Sequence, residues 1–302
     1  MIDYFRDPDA WVELKTGRIA HFHTGSDANI DPATVAAFGD EWTKFDRFSE
    51  AEIRQIGDEY FDVVDASMLD PDATALDLGC GSGRWSLYTA SRCAFVEAVD
   101  PSDAVLVAHA VTRDRDNVRV TQASVDSLPF PDDSFDFVVC LGALHHIPDT
   151  AAALKAAVAK LRPGGWMLLY VYYALENRGP VHRLLFWLAD ILRRVISRFR
   201  GPIKRLSCDA IAVVVYLPLI SVARLFESLG GDGAADGIPL HYYADKSWHV
   251  IRNDALDRFG TPLEQRFTKA QIAEMMRAGG LEDLRFSDKM PMWHGVGRKV
   301  GP

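Results

Sequence analysis

The stretch "ALDLGCGSGRW", residues 75–85, decides how this chain is read. A short apolar run leads into three glycines, which is how a strand enters a tight nucleotide-binding turn. A dinucleotide site would carry G-x-G-x-x-G. Here the glycines stand at Gly79, Gly81 and Gly83, and Arg84 takes the place of the third Rossmann glycine. An acid, Asp77, sits two residues before the first glycine.

These two departures bear on the ligand. A carboxylate beside a pyrophosphate is repelled, whereas beside a cation it is attracted. S-adenosylmethionine carries both an ammonium and a sulfonium, so the charge of Asp77 favours a methyl donor over a dinucleotide. Asp100 closes the next apolar run, where an acid accepts hydrogen bonds from ribose hydroxyls. That feature is common to both cofactors and does not choose between them.

Outward from the glycines, short apolar runs alternate with helical patterns, the signature of a doubly wound, mostly parallel α/β sheet. Strands are expected at 75–78, 94–99, 118–121, 135–141 and 166–173, with helices starting near Trp85, Ser102 and Asp149. "FDFVVCL" at 135–141 suits a strand buried on both faces. Thr268 and Gln271 form a capping box before a helix that stops at Gly279-Gly280, and two more strands follow at 281–286 and 293–297. The expected organisation is a helical extension over 1–74, a seven-stranded core from 75–173 and 268–302, and an inserted lid or substrate region over 174–267. Ser49 and Glu52 supply a capping box in the extension, and Trp42 and Phe45 are placed there as a flap over the cofactor.

The bulk properties narrow the partners. A chain of 302 residues at 48% hydrophobic buries a substantial core. A net charge of -9 argues against general affinity for nucleic acid. Cys80, Cys93, Cys140 and Cys208 lie far apart without a C-x-x-C pair, so they read as reduced thiols rather than a disulfide framework or a metal site. The charged start "MIDYFRDPDAW" is no signal peptide, and a cytoplasmic protein is expected, with contact at the inner membrane face as the variant. "AIAVVVYLPLISVA", 210–223, is fourteen residues with an internal proline, so no spanning helix is expected.

"DLGCGSG", the acid at Asp100, "VDSLPFPDDSFD", "ALHHIPD" and "LRPGG" occur in order. In this the chain resembles class I S-adenosylmethionine-dependent methyltransferases, most closely the small-molecule group that includes the enzymes of ubiquinone and menaquinone synthesis. The resemblance covers about 75–175 closely and 268–300 more loosely. It implies S-adenosylmethionine as methyl donor and S-adenosylhomocysteine as product. It also implies that Asp77, Gly79 and Gly81 hold the methionine part and Asp100 the ribose. Asp126 with the Val125 backbone reads the adenine amino group, and Leu141 lies near the methionine end. Cys80, Gly83 and Pro101 stand among these as further cofactor contacts.

Methyl transfer to a hydroxyl benefits from a general base, and histidine is the usual candidate. His145 and His146 follow the fourth strand, at the sheet edge where ligands bind. The related enzymes carry a histidine in L-H-I-x-D, which aligns with His146, so His146 is the first candidate and His145 the second. Both could instead be structural. Tyr172 shares a strand face with Tyr170 and is a candidate substrate contact.

Substrate choice should lie in the insertion. Residues 181–206 carry seven Arg/Lys against one acid, Asp190, and Val181, Leu184, Leu185, Leu188, Leu192, Val195, Ile196 and Phe199 make one apolar helical face. Three readings stay open: a lid helix, a basic amphipathic helix on an anionic membrane, or a cationic pocket for an anionic substrate in which Arg194 takes part. The acceptor is accordingly a small molecule, anionic or lipid-like. A non-catalytic protein that binds the cofactor remains the rival from another class.

Overall fold

The first strands come earlier than expected. "AWVELKTGRIAH" alternates apolar and polar residues around Gly17, whose φ of +139° suits only glycine. It forms an antiparallel hairpin of β1 (Ala10–Leu14) and β2 (Gly17–His21). The expectation of a helical extension and a seven-stranded sheet is therefore corrected. In the computed structural model, which describes residues 2–25, 28–42, 48–229 and 237–301, the sheet has nine strands. Phe45, expected in the flap, lies outside the described residues.

Two helices follow the hairpin, α1 (Pro32–Trp42) and α2 (Glu50–Tyr60), and the Ser49–Glu52 capping box starts the second. The glycine stretch joins β3 (Thr74–Leu78) to α3 (Arg84–Ala90). Next come β4 (Phe95–Asp100), α4 (Ala104–Thr112), β5 (Val118–Gln122), β6 (Phe135–Leu141), α5 (Thr150–Lys160) and β7 (Leu161–Tyr170). Asp149 caps α5 by accepting from Ala152 N at 2.9 Å. The strand expected to begin at Trp166 begins at Leu161, so Pro163-Gly164-Gly165 lies inside β7, where the β6 pairing shifts register. The chain ends with β8 (Leu281–Phe286) and β9 (Gly295–Lys299), the latter two residues later than expected.

The strand order is β1-β2-β5-β4-β3-β6-β7-β9-β8. Pairings from β2 through β7 are parallel, while β1 on β2, β9 on β7 and β8 on β9 are antiparallel. From β3 the chain winds outward to β4 and β5, then returns to the other side of β3 as β6. Such a reversal opens a crevice at the carboxyl ends of the two strands, where ligands of open α/β sheets bind. The core beneath is closed by Phe130, Phe135, Leu144, Leu154, Leu161 and Met167, all fully buried.

Two compact units divide the chain: residues 1–174 with 263–302, which hold the sheet, and residues 175–262. The second unit is helical: α6 (Pro180–Ile196), α7 (Gly201–Ile211), a π-helical turn (Ala212–Tyr216), α8 (Leu217–Ser228) and α9 (Trp248–Gly260). The expectation of a short, kinked apolar helix is overturned here. Gly201–Ser228 is one helical run of 28 residues, long and apolar enough by length and composition to cross a membrane. The π turn ahead of Pro218 accommodates the proline without a break. α9 is tied to this run by charge: Arg252 donates to both Asp209 oxygens at 2.8 and 2.7 Å, and Tyr216 Oη donates to Asp254 at 2.6 Å.

Back in the first unit, α10 (Lys269–Ala278) starts on the predicted capping box, with Thr268 Oγ1 accepting from Gln271 N at 3.2 Å. Thr268→Ala should lower stability by about 1 kcal/mol, read as a lower urea midpoint with unchanged slope.

Candidate functional site

The turn after β3 is built from left-handed backbone. Gly79, Gly81 and Gly83 have φ of +77°, +51° and +80°. A Cβ on Gly79 would stand 2.3 Å from Ala143 Cβ, so the turn and the segment after β6 meet across the crevice. On Gly81 it would stand 2.9 Å from Trp42 Nε1. Trp42 thus lies against the turn.

Where the amides of this turn point decides what it can hold. A pyrophosphate site needs backbone N–H groups aimed at the ligand. Here Gly79 N and Cys80 N donate to Val99 O at 2.8 and 3.0 Å, Gly83 N donates to Cys80 O, and Gly81 N donates to Asp100 Oδ2 at 3.0 Å. These four amides are spent inside the protein.

Asp77 is completely buried at the end of β3. Ser86 Oγ donates to its Oδ2 at 2.6 Å, while Oδ1 has no hydrogen-bond partner among the described residues. Burial, aided by the nearby charge of Asp100, pushes its carboxyl up to about 7. Asp100 is also buried and raised by desolvation, and Ser102 donates to its Oδ1 through both N and Oγ. A desolvated acid with one unpartnered oxygen is the complement of a cation. The residues present therefore fit S-adenosylmethionine and do not fit a pyrophosphate.

The remaining cofactor candidates ring the same edge. Pro101 follows Asp100 directly, Cys80 is buried with its thiol held well above the ordinary range by desolvation, and Leu141 ends β6, buried. Val125 and Asp126 form a 3-10 turn beyond β5, with Val125 buried and Asp126 exposed. Asp126 Oδ2 accepts from Asn29 N at 2.5 Å, and the Asn29 side chain exchanges hydrogen bonds with the Asp149 backbone. Asn29 is a contact that sequence reading missed.

His145 and His146 form a 3-10 turn with Leu144. Their rings lie 3.9 Å apart between centroids, and His145 sits 4.1 Å from the Tyr172 ring. His145 is fully buried, and burial, with His146 and Arg266 nearby, holds its pKa well below the ordinary range, so it is a neutral ring. His146 is held differently: its Nδ1 lies 2.7 Å from Leu263 O. A carbonyl only accepts, so Nδ1 carries the proton and the lone pair of the neutral ring is on Nε2.

A stripe on α1 faces the same place. Thr34 Oγ1 accepts from Leu263 N at 3.1 Å, Phe38 meets His146 edge-on at 4.8 Å, and Trp42 covers Gly81. The spacing 34, 38, 42 is one helical face, a signal the sequence held and its reading passed over. Gln265 N donates to His145 O at 3.0 Å, and Arg266 lies over the Tyr172 ring at 4.9 Å. Arg194, the other substrate candidate, belongs to the second unit, where its Nε donates to Asp190 at 2.9 Å. Gly79→Ala would force the Cβ into Ala143 at a positive φ. It should lower the thermal midpoint by several degrees and abolish cofactor binding, both readable in one thermal-shift titration.

Comparison with known proteins fits this geometry. A methyltransferase-domain family matches residues 76–169. YcgJ of Bacillus subtilis, an uncharacterised methyltransferase, is 36% identical over 105 residues, 34% of this chain and 42% of YcgJ, so the chain spans less than half of that relative. A ubiquinone biosynthesis O-methyltransferase of Paracidovorax citrulli is 30% identical over 170 residues, 54% of this chain and 69% of that protein. Among solved structures, DhpI in complex with S-adenosylhomocysteine shares the fold with a TM-score of 0.53 at 14% identity, covering 89% of this chain and 96% of that one. With the glycine turn, the two acids and these matches together, the chain belongs to the S-adenosylmethionine-dependent methyltransferase family.

Proposed function

We propose that this protein transfers the methyl group of S-adenosylmethionine to a hydroxyl of a small-molecule acceptor, with His146 as general base. The observation that carries the reading is the pairing, on one sheet edge, of a buried acid suited to a cation with a histidine whose basic nitrogen is fixed as Nε2. The relatives named as ubiquinone biosynthesis O-methyltransferases support oxygen as the acceptor atom.

Bound S-adenosylmethionine supplies an electrophilic methyl on a sulfonium. Asp77 holds a cationic group at the turn, and Asp100 with its Ser102 partners presents acceptors one strand away. Asp126 and the Val125 backbone take the adenine end, where Asn29 is the competing donor. Tyr172, Phe38 and the neutral His145 ring wall the acceptor site and keep water away from it. His146 accepts the hydroxyl proton at Nε2 as the oxygen becomes nucleophilic, and the Leu263 carbonyl stabilises the charged ring through Nδ1. Positioning of the two reactants supplies roughly 7–11 kcal/mol of such a barrier, so the base is an addition to that effect.

The test is turnover of methyl-labelled S-adenosylmethionine with candidate hydroxylated acceptors. His146→Ala should lower kcat by roughly 10²–10⁴-fold while calorimetry finds the cofactor affinity unchanged. Equal loss of affinity and turnover would make the residue structural.

Asp77 predicts a pH dependence of a definite sign. Its carboxyl is raised to about 7, so the free protein takes up a proton there as pH falls below that value. The protonated acid has no charge to offer an ammonium. Cofactor affinity should therefore fall about tenfold per pH unit below about 7 and level off above it. In Asp77→Asn the affinity should be low and flat across the same range.

A further inference from the structure

We propose that the second unit, residues 175–262, docks the protein on an anionic lipid bilayer through the outward apolar faces of α6 and of the Gly201–Ser228 helix. The proposal stands apart from the methyl-transfer reading and needs no cofactor.

The leucine stripe of α6 is open to solvent: Leu184, Leu185, Leu188, Leu192 and Val195 are all 42–57% exposed. The buried side carries Ile196 together with polar groups. Arg193 is only 7% exposed, donating to Thr261 O and Pro262 O at 3.1 and 2.9 Å and to Asp190 at 2.6 Å. Ser197 is buried beside it. The helix has hidden an arginine and shown its leucines.

The Gly201–Ser228 run repeats the pattern. Its inner side meets α9 through the Asp209–Arg252 pair and the Tyr216–Asp254 hydrogen bond. Away from those contacts it exposes Leu206, Val213, Val214, Val222, Leu225 and Phe226. Of the exposed large hydrophobic residues in the described chain, eighteen of twenty-three fall between 181 and 229. Apolar surface so concentrated marks an interaction site. The charged α9 partners on one flank make this run a helix that lies on a bilayer rather than one that crosses it.

Charge selects the occupant. Residues 181–229 hold eight Arg/Lys and three Asp/Glu, a local net of +5 within a chain of -9. Each of the three acids is engaged: Asp190 by Arg193 and Arg194, Asp209 by Arg252, and Glu227 by His241 at 2.7 Å. Arg183, Arg194, Arg198 and Arg200 remain exposed along the apolar stripe. Leucines flanked by exposed arginines match acyl chains beneath anionic headgroups. A second copy of this chain would instead bring the same positive charge to the contact.

The experiment is flotation of the full-length protein with phosphatidylcholine vesicles, with and without phosphatidylglycerol. Binding is expected to the anionic vesicles, weakened by high salt, and Leu184→Glu with Leu188→Glu should reduce it at least about tenfold. Both leucines are exposed, so the circular dichroism and thermal midpoint of the variant should match the parent. A second readout uses the burial of the four natural cysteines: Leu188→Cys can be labelled alone with an environment-sensitive dye. Its emission should shift to the blue on adding anionic vesicles. No flotation, or an unshifted dye, would overturn the proposal. So would a concentration-dependent dimer in sedimentation equilibrium that the two glutamates dissolve, since the face would then be a self-interface.

Discussion

The site of this protein depends on one unfavourable placement, a carboxylate removed from water at the end of a central strand. Burying an ionised acid without a partner costs several kcal/mol, and a protein ordinarily meets that cost with hydrogen bonds or by neutralising the group. Asp77 receives one hydrogen bond, from Ser86, and its other oxygen is unpartnered. The rest of the crevice is arranged around that deficit. The glycines let Ala143 and Trp42 pack directly against the turn, and Val99 and Asp100 occupy amides that could have attracted an anion. On the proposed reading, a cationic ligand would supply what the protein withholds, and the strain of the free site would become selectivity for the charged donor.

The histidine turn shows how a second constraint grows from the first. Gly79 touches Ala143, which places Leu144–His146 directly across the crevice from the glycine turn. The backbone of 263–265 then holds this turn: Leu263 O meets the His146 ring at Nδ1, and Gln265 N donates to the His145 backbone carbonyl. One histidine is left with a defined basic nitrogen, while burial makes its neighbour a neutral wall. Adjacent identical residues acquire different chemistry because one backbone carbonyl reaches only one of them.

Much of this could be read from the chain. The glycine spacing, Asp77, Asp100 and the capping residues act locally, so their roles follow from neighbours in sequence. What escaped reading was non-local or depended on weighing a pattern. Asn29 reaches Asp126 and Asp149 from about a hundred residues away, a pairing no short window contains. The Leu263–Gln265 contacts fall where the chain returns from the second unit. The β1–β2 hairpin and the 34–38–42 stripe were present as periodicity, but each is short, and a helix with two aromatics on one face reads equally as core.

The second unit exposes a limit of a different kind. Hydrophobic periodicity tells which residues of a helix share a face, and the leucines of the α6 stripe are exposed together, although Ile196, placed with them, is buried. It does not say to which side the face turns. The sequence left that direction open, with a lid, a membrane surface and a cationic pocket all standing. In the structure the Arg193 guanidinium is buried against Asp190 and two backbone carbonyls while the leucines are exposed. A helix placed this way loses free energy in water for every exposed leucine and recovers it only against an apolar phase. On the proposed reading, the arginines beside the stripe would give that phase a charged boundary, as an anionic bilayer surface does.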